Sequence, residues 1–386
     1  MGDVLHRTET VNPLLSPGSE FDYIDVSSIS NLTYCIEKTQ RLKGKDAPSR
    51  ARKLVRSNDV LFATVRPTLR RVAIVPDELD NQICSTGYCV LRPRAAVDHR
   101  FVYYWLLSQE FLEQMAAIQK GASYPAVTDA EVKAQNFAYP PLPEQHRIVR
   151  ILDEAFAAIA KAKANTEKNL QNAREVFETK LRSIFSSLIS QATVPIGKVA
   201  RVYDGPHATP KTVEVGPIFL GIGALLDGRV NLRQTRHVTT SDFEMWTRRV
   251  KPQANDIVFS YETRLGQAAL IPEGLDCCLG RRMGLIRVDE HRVLARFLVY
   301  QYISQPFRHY LNSKVVKGAT VDRISIKEFP SFRVALPPLA EQERIASGLD
   351  TVRESTERLE QSYRQKLAAL DRLKQSLLHQ AFSGNL

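Results

Sequence analysis

Pro140-Pro141-Leu142-Pro143-Glu144-Gln145-His146-Arg147-Ile148 returns 197 residues later as Pro337-Pro338-Leu339-Ala340-Glu341-Gln342-Glu343-Arg344-Ile345. From 140 to 153, nine of fourteen positions are identical at that offset. The match extends outward: Asn58-Asp59-Val60-Leu61-Phe62 pairs with Asn255-Asp256-Ile257-Val258-Phe259, and Lys120-Gly121-Ala122-Ser123 with Lys317-Gly318-Ala319-Thr320. An internal repeat of this length means one architectural unit used twice. Any surface that one copy offers a partner is then offered again by the other.

Each copy changes character at the proline-led motif. Residues 1–139 and 193–336 carry short β-branched and aromatic runs separated by Gly, Pro, Asn and Asp, the pattern of mixed, strand-rich globular domains. Within each, aromatic and aliphatic residues at helical spacing predict one amphipathic helix, over 101–118 and 295–311, with Pro306 a candidate break in the second. Segments 140–192 and 337–386 are rich in Ala, Leu, Glu, Gln, Lys and Arg after their leading prolines, and predict long helices over 144–190 and 341–383. Prolines suit a first turn, where a missing N–H costs nothing, and the Glu-Gln pair puts negative charge at the positive end of the dipole.

Along these helices Ile148, Leu152, Ile159, Leu170 and Phe177, and Ile345, Leu349, Leu359, Leu367 and Leu370, recur in steps of three and four with matching stutters. Such a heptad seam has to be buried. The cheapest partner is the equivalent helix of the other copy, so an intramolecular coiled coil is expected, and an antiparallel pair would place the domains at opposite ends. The expected class is therefore α+β, two pseudo-repeated heads each followed by a long helix.

With 53 basic against 42 acidic residues and a net charge of +11, the surface should attract a polyanion, and nucleic acid is the commonest. Five cysteines without a C-x-x-C pair argue against a disulfide framework or structural zinc and suit a reducing cytosol. No stretch approaches a membrane span. Catalytic motifs are missing too: there is no N-P-P-Y-like methyl-transfer motif, no G-x-G-x-x-G and no paired-histidine metal site. Gly205-Pro206-His207-Ala208-Thr209-Pro210-Lys211-Thr212 puts proline where a phosphate loop needs its second glycine. A binding protein without catalytic, cofactor or metal residues is the better reading, ahead of an unfamiliar nuclease or methyltransferase and of a purely structural adaptor.

Binding chemistry concentrates in the heads. Lys38 to Arg56, read as a basic loop, carries eight basic residues against Asp46, among them Lys43, Lys45, Arg50 and Arg52. Arg66, Arg70, Ser123 and Tyr124 complete the first candidate set. The second comprises His207, Lys211, Arg229, Arg233, Arg264, Arg281, Arg282, Lys317 and Thr320. Lysine and arginine neutralise phosphate and position a protein on a duplex, while arginine also reads guanine edges bidentately. The copies agree in framework and differ most in these segments, as expected of a protein reading two different short sequences.

Two variable heads, each followed by a long helix introduced by P-P-L-x-E-Q-x-R-I, resemble the specificity subunit of type I restriction-modification systems. Gly205 to Lys211, Tyr261-Glu262-Thr263-Arg264-Leu265-Gly266 and Leu279-Gly280-Arg281-Arg282-Met283-Gly284 are similar to segments of that family's target recognition domains. The resemblance implies target recognition domains at 1–139 and 193–336, spacer helices at 140–192 and 337–386, and a non-catalytic, cytoplasmic protein binding a bipartite asymmetric site in double-stranded DNA. It further implies two modification subunits bringing S-adenosylmethionine, and restriction subunits using ATP and Mg, with none of these cofactors bound here. Partner contacts are expected on the outward helix faces and at the duplicated junctions after Pro143 and Ala340. The first copy departs from the second in having little that matches the segment before Lys198 and no G-P-H counterpart.

Overall fold

The structure, a computed structural model, describes residues 1–190, 193–317 and 322–386. It comprises two compact units, Met1–Glu167 with Gln365–Leu386, and Lys168–Arg364. Eight α-helices lie among the described residues: α1 (His99–Leu106), α2 (Gln109–Ile118), α3 (Asp129–Lys133), α4 (Leu142–Ile189), α5 (Thr240–Thr247), α6 (Ala295–Ile303), α7 (Gln305–Ser313) and α8 (Leu339–Ser383).

In the first unit the fully buried run Val60–Ala63 is the middle strand of three, antiparallel to Val72–Ile74 and to Tyr88–Leu91. Alternation of side chains divides the strand between two cores. Val60 and Phe62 face α1 and α2, while Leu61 and Ala63 face Ile24, Cys84, Tyr88 and Val90. A second sheet pairs Glu20–Ile24 antiparallel with Gln40–Lys43 and parallel with Ile83–Ser85, whose other edge takes Ala51–Leu54. The second unit repeats this scheme. Ile257–Ser260 lies between Ala268–Leu270 and Met283–Val288, with Ile257 and Phe259 toward α6 and α7 and Val258 toward Cys277 and Leu279. Val213–Leu220 runs parallel to Cys277–Leu279 in register Ile218↔Cys277.

The repeat extends to individual contacts. Asp59, 1 % exposed, receives Arg92 through both Nε and Nη2 at 2.8 Å and the Arg56 backbone N–H at 2.8 Å. Asp256 receives Arg287 through Nε at 2.9 Å and Nη2 at 2.6 Å, and the Gln253 N–H at 2.8 Å. Arg100 and Tyr104 of α1 both donate to Asp153 of α4, as Arg296 and Tyr300 of α6 do to Asp350 of α8.

Each sequence-expected amphipathic helix is two helices. The break comes at Ser108 and at Ser304, whose hydroxyls accept from the backbone N–H groups of Phe111 and Phe307 and so cap α2 and α7. Pro306 sits in the first turn of α7, where it is harmless, and the break falls just before it. Glu144 and Glu341 sit in the first turns of α4 and α8, and the glutamines beside them make specific bonds. Gln145 is fully buried: its Oε1 accepts from Asp98 N at 2.9 Å, and its Nε2 donates to the carbonyls of Ala96 (3.1 Å) and Pro140 (2.8 Å). Gln342 does the same with Leu294 N (2.9 Å) and the carbonyls of Arg292 (3.0 Å) and Pro337 (2.8 Å).

Helices α4 and α8, 48 and 45 residues long, run about 70 Å each at about 1.5 Å per residue. They pair antiparallel. In the first unit Ile148 and Leu152 share a core with Leu378 and Ala381, and Lys163 meets Asp371 at 2.8 Å. In the second, Leu181, Phe185 and Leu188 pack with Ile345, Ala346 and Leu349, and Arg174 meets Glu360 at 3.2 Å. Of the expected seam, Ile148, Leu152, Ile159, Ile345 and Leu349 are buried and Leu170, Phe177, Leu367 and Leu370 half-buried. Leu359 is not in the seam: it is 46 % exposed. The facing line on α8 runs instead through buried Arg353 and Thr356 to Glu360, which turns to Arg174.

Two outcomes follow from this packing. Asp59→Ala and Asp256→Ala each strand a partly buried arginine, and each is expected to cost about 3 kcal/mol in urea denaturation. Cys84, Cys89, Cys277 and Cys278 are buried, and burial pushes their thiols up to about 12, whereas Cys35 is exposed. A thiol reagent near neutral pH should therefore modify one cysteine per native chain rapidly and the other four only after unfolding.

Candidate nucleic-acid interface

The segment read as a basic loop over 38–56 is largely sheet, since Gln40–Lys43 and Ala51–Leu54 are strands. Pairing spends part of its charge. Arg41 meets Asp22 at 2.8 Å, Lys53 meets Asp129 at 2.5 Å, and Arg56 meets Glu9 at 3.3 Å. Arg52 is half-buried and donates to the carbonyl of Ala51 at 2.8 Å. Lys38, Lys43, Lys45 and Arg50 are exposed, and none forms an ion pair with a described residue. They are the part of this segment free to neutralise phosphate.

A second cluster of the first unit joins segments distant in sequence. Arg66 and Arg70 flank a short turn, Pro67–Leu69, and both adopt left-handed backbone, φ +50° and +54°. Non-glycine residues hold that conformation only when their surroundings impose it. The Arg66 N–H donates to the carbonyl of Pro125 at 2.7 Å, and its guanidinium lies 4.8 Å from the centre of the Tyr124 ring. Tyr124 is 71 % exposed and Ser123 beside it is exposed as well, while Arg70 donates to Gln109 at 2.7 Å. A cation stacked on an exposed ring presents both charge and a flat apolar face, two groups that phosphate and base can use.

The second unit sorts its predicted residues into two kinds. Arg282 ion-pairs with Glu262 at 3.1 Å and donates through Nη1 to His207 Nδ1 at 3.2 Å. Arginine has no acceptor, so the ring proton of His207 sits on Nε2 and is donated to Asp204 at 2.9 Å. Tyr261 donates to the other Asp204 oxygen at 2.9 Å, and burial together with that bond holds its phenol well above the usual range. Arg264 is turned to the carbonyls of Ile222 (3.3 Å) and Gly223 (3.4 Å). Arg229 meets Glu357 of α8 at 2.9 Å. These bonds tie the residues to neighbouring loops and to α8; Arg264 and Arg282 are half-buried, while His207 and Arg229 remain exposed. Asp204, Tyr261 and Glu262, which anchor them, were not singled out by charge; the spacing of Asp204 and His207 by three residues was the available signal.

Arg233 and Arg281, by contrast, are exposed and converge. With Arg236, Thr209, Gln234 and Thr235 they line a hollow of about 460 Å³, a concave surface with three arginines and three further hydrogen-bonding side chains. Lys211 and Lys317 are exposed elsewhere on the unit. Thr320 lies outside the described residues. No group of three or more metal-capable side chains occurs among the described residues, and none of their helices is long and apolar enough to cross a membrane.

Comparisons with known proteins agree with this geometry. A family model described as "Type I restriction modification DNA specificity domain" matches residues 12–170 and 233–369. The EcoKI specificity subunit of Escherichia coli K12 is 25 % identical over 328 residues, covering 78 % of this chain and 69 % of that one. The HindI specificity subunit of Haemophilus influenzae is 31 % identical over 111 residues, 28 % of this chain and only 24 % of that one. Among solved structures, a chain from a study of complex assembly and conformational transition of the type I R-M system matches with TM-score 0.82 and 29 % identity, covering 100 % of this chain and 97 % of that one. The HsdS subunit from Thermoanaerobacter tengcongensis matches with TM-score 0.69 and 28 % identity, covering 100 % and 96 %. A duplicated fold with unlike basic heads, matched by the family model over both copies, makes this chain a member of the type I restriction-modification DNA specificity subunit family.

Proposed function

We propose that this chain recognises a bipartite, asymmetric site in double-stranded DNA, with 1–139 and 193–336 as its two target recognition domains, and that it carries no catalytic residue of its own. The observation that supports this most is the combination of repeated framework and unrepeated surface. The Asp-Arg pairs, the glutamine bonds and the helix-to-head contacts recur in both copies, whereas Arg66 with Tyr124 in one head has no likeness to the Arg233, Arg236 and Arg281 hollow in the other. Like frames carrying unlike surfaces suit two different half-sites better than a palindrome.

In this reading the exposed lysines and arginines contact phosphate, and a few side chains at Arg66, Tyr124, Arg233 and Arg281 meet base edges or faces. Two modification subunits dock on duplicated surfaces of α4 and α8 and supply S-adenosylmethionine chemistry. Restriction subunits that use ATP and Mg join them, in the cytoplasm.

The test is a fluorescence titration of a complex of this chain with its modification subunits against its genomic target, located by sequencing methylated adenines. Scrambling either half of the target should weaken binding by at least tenfold at fixed salt. Unchanged affinity would defeat the proposal. The double substitution Arg233→Ala with Arg281→Ala should weaken binding to the intact target by about tenfold or more and narrow the gap between intact and scrambled targets, as expected for lost base contacts worth about 1–3 kcal/mol each, without lowering the melting temperature. A protein acting only as an adaptor would show neither effect.

A further inference from the structure

Four contacts between the long helices break the repeat that the rest of the helices keep. In the first unit Lys163 of α4 meets Asp371 of α8 at 2.8 Å, and in the second Arg174 of α4 meets Glu360 of α8 at 3.2 Å. At the 197-residue offset Lys163 corresponds to Glu360 and Arg174 to Asp371, so the charge is inverted between the copies. The stacked contacts follow the same rule. The Lys374 ammonium of α8 lies 4.9 Å from the centre of the Phe156 ring of α4 in the first unit, and the Arg353 guanidinium of α8 lies 4.6 Å from that of Phe177 of α4 in the second. Phe156 corresponds to Arg353, and Phe177 to Lys374. Each contact therefore sets a group of one kind on α4 against its complement on α8: cation against carboxylate twice, ring against cation twice.

The apolar positions behave in the opposite way. Ile148, Leu152, Leu181 and Phe185 correspond to Ile345, Leu349, Leu378 and Phe382 without a change of residue. Ile148 and Leu152 share a core with Leu378 in the first unit, as Ile345 and Leu349 do with Leu181 in the second. Packing at these positions is blind to whether α4 meets α8 or either helix meets a second copy of itself.

The inverted positions are not blind. Because Glu360 is the counterpart of Lys163 and Asp371 that of Arg174, a second α4 laid where α8 lies would set Lys163 against Arg174, and a second α8 in place of α4 would set Asp371 against Glu360. Two α8 helices would also bring Arg353, 6 % exposed in its present setting, against Lys374 with neither phenylalanine between them. A single exposed ion pair is worth little, but separated pairs add, and exchanging two mixed pairings for the two homotypic ones turns every attractive ionic contact into a repulsive one. Charges flanking a helix seam choose partners in this way, by rejecting the wrong one as much as by holding the right one.

We propose that these four contacts make each long helix selective for the other: the seam of α4 fits an α8-type helix, with carboxylates at the ionic positions and cations at the stacked ones, and both seams reject a second copy of themselves. A helix pair of this chain then always joins one head of each kind. The inference is independent of what the heads bind.

The test uses the full chain with a protease site inserted after Ser190, cut after purification so that both pieces stay in the complex. Unfolding in urea and refolding by dilution at low salt lets the pieces choose partners, and native mass spectrometry counts the mixed and the two homotypic pairings. Pieces without selectivity would give the statistical mixture, half of it mixed; the wild type should exceed the statistical ratio of mixed to homotypic pairs by about tenfold or more. Arg174→Glu with Asp371→Lys keeps the net charge, makes each helix complementary to its own copy and sets like charges between α4 and α8. It should shift the ratio toward homotypic pairs by about tenfold or more. A statistical mixture from the wild type, or the same ratio from both proteins, overturns the proposal. Should the pieces not refold, the intact chain decides: Asp371→Lys should lower the melting temperature, and adding Lys163→Glu should recover at least about half of the loss, as reciprocal charges do when they face each other. No recovery overturns the proposal as well.

Discussion

A primary amide buried at the start of each long helix is the constraint on which both heads depend. Gln145 and Gln342 each bind one backbone N–H and two backbone carbonyls, joining the loop before the first head helix to the turn that launches the long helix. Only a primary amide offers an acceptor and two donors together without charge, and leaving any of these groups unpaired in the interior would cost about 1–3 kcal/mol. With the junction fixed, Asp153 and Asp350 two turns later fall where Arg100 with Tyr104, and Arg296 with Tyr300, can reach them. The direction in which each helix leaves its head is thus set by polar bonds, and apolar packing follows.

That dependence explains how much was legible in the chain. The duplication, the strand-rich heads and the paired rods could be read because identity at a fixed offset and a three-four apolar rhythm are properties of the chain itself. The glutamines were visible as identities but not as latches, because their partners at 96–98 and 292–294 are ordinary backbone groups with no signature. The serine breaks at 108 and 304 hid inside convincing amphipathic patterns, where a hydroxyl competing for a backbone N–H leaves no mark on periodicity. Leu359 misled for a related reason: an apolar residue at the right interval was displaced by Glu360, whose ion pair with Arg174 decides which face turns inward.

Charge was the least legible quantity. Basic residues along a segment can be counted, but only the fold says which of them already have partners. Lys53, Arg229 and Arg282 are neutralised within the protein, while Lys43, Arg50 and Arg281 are not, and nothing in their local sequences distinguishes the groups. Exposed ion pairs contribute little stability, so the pairs at the surface serve mainly to orient loops. The unpaired residues carry whatever long-range attraction the heads possess.

The antiparallel course of α8 also bears on how the protein is made. The core of the first unit includes Leu378 and Ala381, and the ring of Phe382 packs 5.1 Å from that of Phe101. A chain cut short after Arg364 therefore leaves the first-made head with an open apolar face where Leu378, Ala381 and Phe382 would pack, while the second unit, bounded by residues 168 and 364, keeps every residue of its own core.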